Sequence, residues 1–226
     1  MTKAKIIKSI YFKLMTMESL IRLAEKISNK DLRKRVIDYL KDAKLKNKNF
    51  SKYKREDLEK SGSYFAVSSS SIGPVERDVV HHTVVLTHLI IQTAQIFEAG
   101  YGIKLDLDSL IAASLCHDIM KSVEYNRDEE NDLVPTGVSL DHTILGVAEL
   151  YARDFPEEVI HIVASHPGDA GTTTPKSFEA VVFHHLDSLA SVVEYYIIGS
   201  AKMKEKMRIL AEKRMKELGE KSEESK

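Results

Sequence analysis

The sequence predicts an all-α fold: a helical bundle preceded by a helical hairpin and followed by a charged helix. Two observations predict it, and a third points to the function. Apolar residues recur every three or four positions through most of the chain, as amphipathic helices require. The β-rich stretches that a sheet would need are missing. Finally, Leu115-Cys116-His117-Asp118-Ile119-Met120-Lys121 sets a histidine and a carboxylate side by side in an apolar run, where they are costly unless something pairs with them.

Residues 7–27 carry Ile10, Leu14, Met17, Ile21, Ala24 and Ile27 at helical spacing and are expected to form the first helix, ended at Ser28-Asn29. Asn29 then caps a second helix over 31–41, whose apolar stripe is Leu32, Val36, Ile37 and Leu40. Residues 44–76 lose this period: a basic run with Phe50 and Tyr53 is followed by Ser68-Ser69-Ser70-Ser71-Ile72-Gly73-Pro74, which reads as a long connection. Periodicity returns over 78–98, 107–119, 140–153, 156–164 and 176–198. In Asp154-Phe155-Pro156-Glu157, Asp154 is expected to cap, Pro156 to open the first turn and Glu157 to complete a capping box. Residues 201–218 continue as a charged helix with Met203, Met207, Leu210, Met215 and Leu218 on its apolar side, and 219–226 are expected to fray. The expected organisation is a hairpin over 1–43 packed on the main domain, a connection over 44–76, the main domain over 77–200, and a helix with its tail over 201–226.

Composition narrows the function class. At 226 residues, 43% hydrophobic and 30% charged, the chain can bury one substantial core. A formal charge of -1 provides no global field for nucleic acid or an anionic membrane. The basic run 44–55 can neutralise a nucleic acid strand and stack its bases, but a solvated linker is the favoured reading. One cysteine, Cys116, excludes an internal disulfide framework and fits a reducing compartment, so a cytoplasmic location is expected. Lysines interrupt the apolar residues of 1–8, and no apolar stretch reaches membrane-spanning length, so neither secretion nor membrane insertion is expected.

The buried charges point to a metal. Asp187 also lies inside an apolar helix, and a cation shared with His117-Asp118 removes both desolvation penalties. His82 near the start of a third helix completes a set of His82, His117, Asp118 and Asp187, ligands drawn from facing helices as in other bundles. If Asp118 bridges, His142 and His166 can hold a second ion beside the first, in the manner of paired metals that clamp a phosphoryl displacement. Imidazole with carboxylate suits iron, manganese, nickel or zinc better than calcium. His88, six residues after His82, points elsewhere on the helix. It is expected beside the substrate, where His88 or His184 can help move a proton to the leaving oxygen. His161 and His185 are expected to be structural.

These residues resemble the HD-domain metal-dependent phosphohydrolases, whose pattern is a histidine, then His-Asp, further histidines and a distant aspartate. The resemblance covers about His82 to Ala190. It implies an HD-domain helical bundle in which His82, His117, Asp118 and Asp187 bind the first metal and His142 and His166 complete a second site. It favours His82 over His81, because Thr83 follows as in the family. It also implies that Lys121, one helical turn after Asp118, holds the substrate phosphate, with Lys121 and Asp118 as catalytic residues and water activated by metal as nucleophile. The segments Leu140-Asp141-His142, 155–166, Ser177-Phe178-Glu179-Ala180 and Leu186-Asp187-Ser188-Leu189 are similar to bacterial HD-type 3′-to-5′ exoribonucleases. His-Asp-Ile-Met-Lys and the helical N-terminus are more similar to archaeal HD proteins, a group that includes a pterin cyclic-phosphate phosphodiesterase.

Two departures stand out. His166-Pro167 replaces the His-His usual in those relatives, and 71–78 replaces their histidine- and glycine-containing approach to the first ligand. The implied function is a phosphodiesterase acting on a small nucleotide-like or pterin-like phosphate, with one tightly held ion, a second weaker one, and self-association into a homo-oligomer left open. The alternatives are an HD-type exoribonuclease and a non-catalytic HD binding module.

Overall fold

In the computed structural model, residues 15–42, 44–67 and 73–223 are described, with side chains to residue 212. Helix α1 (Met17–Ala24) and helix α2 (Lys30–Lys41) form the expected hairpin. Asn29 caps α2 by accepting from the amides of Asp31 and Leu32 at 3.0 and 3.1 Å. The buried stripe of the first helix is Leu20, Leu23, Ala24 and Ile27, so Met17 and Ile21 sit at its margin. Ile10 and Leu14, expected on the same face, lie outside the described residues. Asp108 fastens the hairpin to the main body: its carboxylate accepts from the Ser28 amide at 2.8 Å, the Ser28 hydroxyl at 2.6 Å and the Asn29 amide at 2.8 Å.

The connection 44–76 carries more structure than its sequence signals. Leu45, Phe50 and Tyr53 are partly buried against the core and Leu58 is fully buried, so these residues anchor the segment. Strand β1 (Gly62–Phe65) pairs antiparallel with β2 (Val75–Asp78), Gly62 opposite Asp78 and Phe65 opposite Val75. A second hairpin pairs β3 (Tyr125–Arg127) with β4 (Leu133–Pro135). The fold is all-α as expected, and these two hairpins are its only described strands: ladders of three or four residues, such as Val-Glu-Arg-Asp, are too short to produce a recognisable alternation. Gly62 lets the hairpins meet, since a Cβ there would lie 2.9 Å from Leu133 Cδ1 and 3.1 Å from the Arg77 carbonyl. The serines and isoleucine of 68–72 lie outside the described residues.

Helix α3 (Val79–Tyr101) starts at Asp78, which accepts from the His81 amide at 2.6 Å, and stops at Gly102 in the left-handed region, φ 66°. Helix α4 (Leu107–Cys116) is the centre of the molecule: every residue from Ser109 to Cys116 is buried, between α2, α3 and the later helices. Its helix was expected to run to 119, but the ladder ends at Cys116. Tighter turns follow, with the Lys121 amide donating to Asp118 at 3.0 Å and the Ser122 amide to Ile119 at 3.2 Å, and lead into the single turn α5 (Lys121–Glu124).

Helices α6 (His142–Tyr151) and α7 (Glu157–Ser165) pack against each other. Asp154 does not cap α7. It sits at φ 56°, its amide donates to Tyr151 and the Phe155 amide donates back to Leu150 at 3.1 Å, so it closes α6 in a left-handed stop. The Arg35 guanidinium donates to its carbonyl. Pro156 stands at the N-cap of α7 without a side-chain cap. Helix α8 (Phe178–Glu223) runs unbroken for 46 residues through the join expected near 200. Gly199, itself buried, costs about 1 kcal/mol relative to alanine in a helix interior, too little to break a helix this long. Met215 and Leu218 have side chains outside the described residues. No described helix is long and apolar enough to cross a membrane.

Candidate metal centres

Five chain segments bring the six expected ligands together. His82 comes from the first turn of α3, His117 and Asp118 from the end of α4, His142 from the first residue of α6, His166 from the end of α7, and Asp187 from within α8. His82 Nε2 lies 2.9 Å from Asp187 Oδ1 and 4.0 Å from Asp118 Oδ2. His117 Nε2 lies 3.4 Å from Asp118 Oδ2 and 4.0 Å from Asp187 Oδ1. The other carboxylate oxygen, Asp118 Oδ1, faces His142 Nε2 at 3.3 Å and His166 Nε2 at 4.0 Å. Two groups with metal-ligating geometry therefore share Asp118: His82, His117 and Asp118, and Asp118, His142 and His166.

The ring orientations are set from outside. His117 Nδ1 lies 2.8 Å from the Ser114 carbonyl and His166 Nδ1 lies 2.7 Å from the Val163 carbonyl, each three residues back on its own helix. Both rings thus turn Nε2 inward. The His166 carbonyl is itself held by His184 Nδ1 at 2.8 Å. His184 is therefore a support for the His166 turn, and Gly168 at φ 59° leaves room for its ring.

A divalent cation fits this donor set. His117 Nε2 and Asp118 Oδ1 are buried without a hydrogen-bond partner, an arrangement that costs about 1–3 kcal/mol per atom unless an ion takes the lone pairs. Neither group contains a cysteine, and buried nitrogen and oxygen donors suit first-row transition metals.

The protonation states of two of the histidines and of both carboxylates also fit. Burial pushes His117 down to about 3 and His166 down to about 4, so both imidazoles are neutral at pH 7. Burial opposes ionisation of Asp118, but His117, Lys121 and Arg77 outweigh it and hold the carboxyl well below its ordinary range. Burial likewise opposes ionisation of Asp187, and the hydrogen bond from His82 overcomes it. Neutral imidazoles and ionised carboxylates are what a cation requires.

Lys121 is buried, with Nζ 2.7 Å from Asp118 Oδ2. Burial lowers its pKa while Asp118 opposes the change. His81 is the outer of the two neighbours, with Nδ1 3.4 Å from Glu194 Oε1, and His82 is the inner one. The structure does not bring His88 to the site. Its side chain is exposed on α3, because six residues turn it about 120° from His82. His161 Nε2 accepts from the Lys176 amide at 3.0 Å and His185 is exposed.

Sequence reasoning missed Arg77, Glu194 and Glu124. Arg77 is buried with its guanidinium 3.0 Å from Asp118 Oδ2 and 2.9 Å from Ser191 Oγ. Glu194 Oε2 lies 3.1 Å from His82 Nδ1. Glu124 Oε1 accepts from the His142 amide at 2.6 Å and lies 3.3 Å from its Nδ1. Glu194 carries a visible signal, an acid inside Val192-Val193-Glu194-Tyr195 one helical repeat after Asp187; Arg77 stands in a strand too short to reveal an inward face.

Comparison with known proteins places the chain in a family. The HD domain model matches residues 79–192, the stretch that holds all six ligand candidates, and the chain belongs to that family: it is an HD-domain metal-dependent phosphohydrolase. It is 39% identical over 181 residues to the dihydroneopterin 2′,3′-cyclic phosphate phosphodiesterase of Methanocaldococcus jannaschii, covering 78% of this chain and 70% of that protein. No solved structure matches.

Proposed function

We propose that this hydrolase is a phosphodiesterase that opens a small cyclic phosphate on a pterin-like or nucleotide-like body, with ions of iron, manganese, nickel or zinc held at the two Asp118-sharing groups. The observation that carries the reading is the division of the Asp118 carboxylate, Oδ2 toward His82 and His117 and Oδ1 toward His142 and His166. His82, His117, Asp118 and Asp187 would hold the first ion, and Asp118, His142 and His166 the second. When bound, such ions supply Lewis acidity toward phosphoryl oxygens and acidify water for attack at phosphorus.

The chain's own residues provide the rest. Asp118 is kept ionised and oriented by Lys121 and Arg77, so its two oxygens stay directed at the two histidine groups. The buried Lys121 ammonium adds positive charge where phosphoryl oxygens gather, which favours the more highly charged transition state. A recess lined by His142, Thr143, Ile144, Pro167, Ala170 and Thr172 opens beside the second group and can take the organic body of the ester. Pro167 stands in its wall and shapes this recess.

The pterin substrate is favoured by the likeness to a protein named for that reaction, over most of both chains. A nuclease reading is not favoured, since the relative is named for a small cyclic phosphate and the chain's formal charge of -1 provides no global field for nucleic acid. We place the protein in the cytoplasm, which the single buried cysteine fits. The test is hydrolysis of dihydroneopterin 2′,3′-cyclic phosphate by protein reconstituted with iron(II) or manganese(II). The expected product is a phosphate monoester, lost on chelation. Turnover of RNA oligonucleotides with none of the cyclic phosphate would replace this reading.

A further inference from the structure

Every ligand histidine turns Nε2 inward, but the four outward nitrogens are not held alike. His117 and His166 use backbone carbonyls three residues back. His82 and His142 use carboxylates, Glu194 Oε2 at 3.1 Å and Glu124 Oε1 at 3.3 Å from Nδ1. Each Asp118-sharing group therefore contains one carbonyl-held and one carboxylate-held imidazole. We propose that Glu194 and Glu124 are positioning residues, one for each centre, that fix His82 and His142 in the Nδ1–H form and strengthen Nε2 as a donor. This rests on the metal-centre reading above.

The physical reason is the difference between the two kinds of acceptor. A carbonyl orients a ring; a carboxylate also polarises its N–H and makes the other nitrogen more basic toward a cation. Glu194 is built for this. It lies seven residues after Asp187, two turns along the same face of α8, so one helix supplies both a carboxylate facing the ion and the carboxylate behind its histidine. It is buried, and an uncompensated charge there would be costly, but Arg77 Nη1 stands 3.8 Å from its Oε2. The same Arg77 nitrogen lies 3.2 Å from His82 Nδ1. Arginine only donates, so in the Nδ1–H form Glu194 is the acceptor for His82 and Arg77 serves the two acids, Glu194 and Asp118. Arg77 and Glu194 stand just outside the matched stretch 79–192 on either side. Glu124 does the equivalent for α6: at the end of α5 it accepts from the His142 amide at 2.6 Å and faces the ring of the same residue.

The experiment uses full-length protein stripped of metal and titrated with zinc by calorimetry, for the wild type and for Glu194→Gln, Glu194→Ala, Glu124→Gln and Glu124→Ala. Long-range ¹⁵N–¹H spectra of the zinc-loaded proteins read the histidine tautomers. We expect His82 and His142 as Nε2-ligated, Nδ1–H imidazoles. The Glu194→Ala change should weaken the tighter site about 10–100-fold and Glu124→Ala the weaker one, each glutamine variant losing less because it still offers an acceptor. Wild-type affinities in all four variants, or ligation through Nδ1 of His82 or His142, overturn the proposal while leaving the metal centres standing. Failure of both Glu194 variants to fold assigns that carboxylate to Arg77 and the core and overturns its role at the metal. A wild type that takes up no zinc, iron(II) or manganese(II) overturns the metal-centre reading and this proposal with it.

Discussion

Oδ1 of Asp118 lies 3.3 Å from Nε2 of His142, on the far side of the carboxylate from the oxygen that receives Lys121 and Arg77. One side chain therefore faces two groups of donors, and no other described carboxylate has an oxygen in both. Replacing Asp118 with alanine should empty both centres and reduce turnover by roughly 10²–10³-fold or more, the scale of losing one preorganised electrostatic group. The helices should survive, since the carboxylate answers to ions and cations more than to apolar neighbours. Metal counting by emission spectroscopy beside far-UV dichroism checks this. Wild-type metal content in the variant would show that Asp118 is not a ligand.

Gly168 supports the second group from outside through His184. A Cβ there would meet the His184 ring at 2.3 Å, at a backbone conformation of φ 59° that side-chain-bearing residues rarely adopt. His184 in turn holds the His166 carbonyl. We expect Gly168→Ala to lower stability by about 1–3 kcal/mol and to reduce occupancy of the second metal while the first stays bound. Denaturant unfolding and metal counting together decide it, and a variant unchanged in both would show that the turn yields freely.

The metal-free protein should lose stability on acidification. His117 and His166, held near 3 and 4 in the fold against an ordinary 6.5, bind protons in the unfolded chain before they do in the native one. Their contribution is fully present above about 6.5 and is lost as pH falls toward 4 and then 3. His82 works the other way: burial and Arg77 lower its pKa, but hydrogen bonds to Asp187 and Glu194 raise it overall, so its contribution fades as pH rises. Glu194, held at about 2, adds further acid loss below about 4.5. Two depressed histidines outweigh one raised histidine, so melting temperatures of chelated protein should fall steadily from pH 7 to pH 4.5. A flat or rising profile would contradict this, and His117→Asn should flatten the slope.

The difference between what the sequence displays and what it hides has a physical basis. Long helices are legible because burying one face imposes a 3.6-residue period on many residues at once, as in 78–98 and 107–119. His117, Asp118 and Asp187 are legible for the complementary reason: each breaks an apolar run where a lone polar group is costly. Arg77 breaks nothing visible. It alternates with Glu76 and Asp78 as a surface strand would, and its burial depends on Asp118, 41 residues later in the chain. Asp154 is misleading for a local reason, since the same residue type caps helix starts and tolerates the left-handed turn that ends α6.

The two centres should differ in how firmly they hold metal. The ligands proposed for the first ion are His82, His117, Asp118 and Asp187, all buried or nearly so; those proposed for the second are Asp118, His142 and His166, and Pro167 offers no donor. Three protein ligands against four, one of them shared, predict that the second ion dissociates first during dialysis. His166 reaches the shared carboxylate from its Oδ1 side, and its Nδ1 is held by the Val163 carbonyl. His166→Ala should therefore lower second-site occupancy and turnover without emptying the first. Calorimetric titration of metal-free protein, with bound metal counted by emission spectroscopy, separates the outcomes. Two equally tight sites in the wild type, or loss of both ions in His166→Ala, would show that the centres are not the unequal, Asp118-linked pair their ligand sets describe.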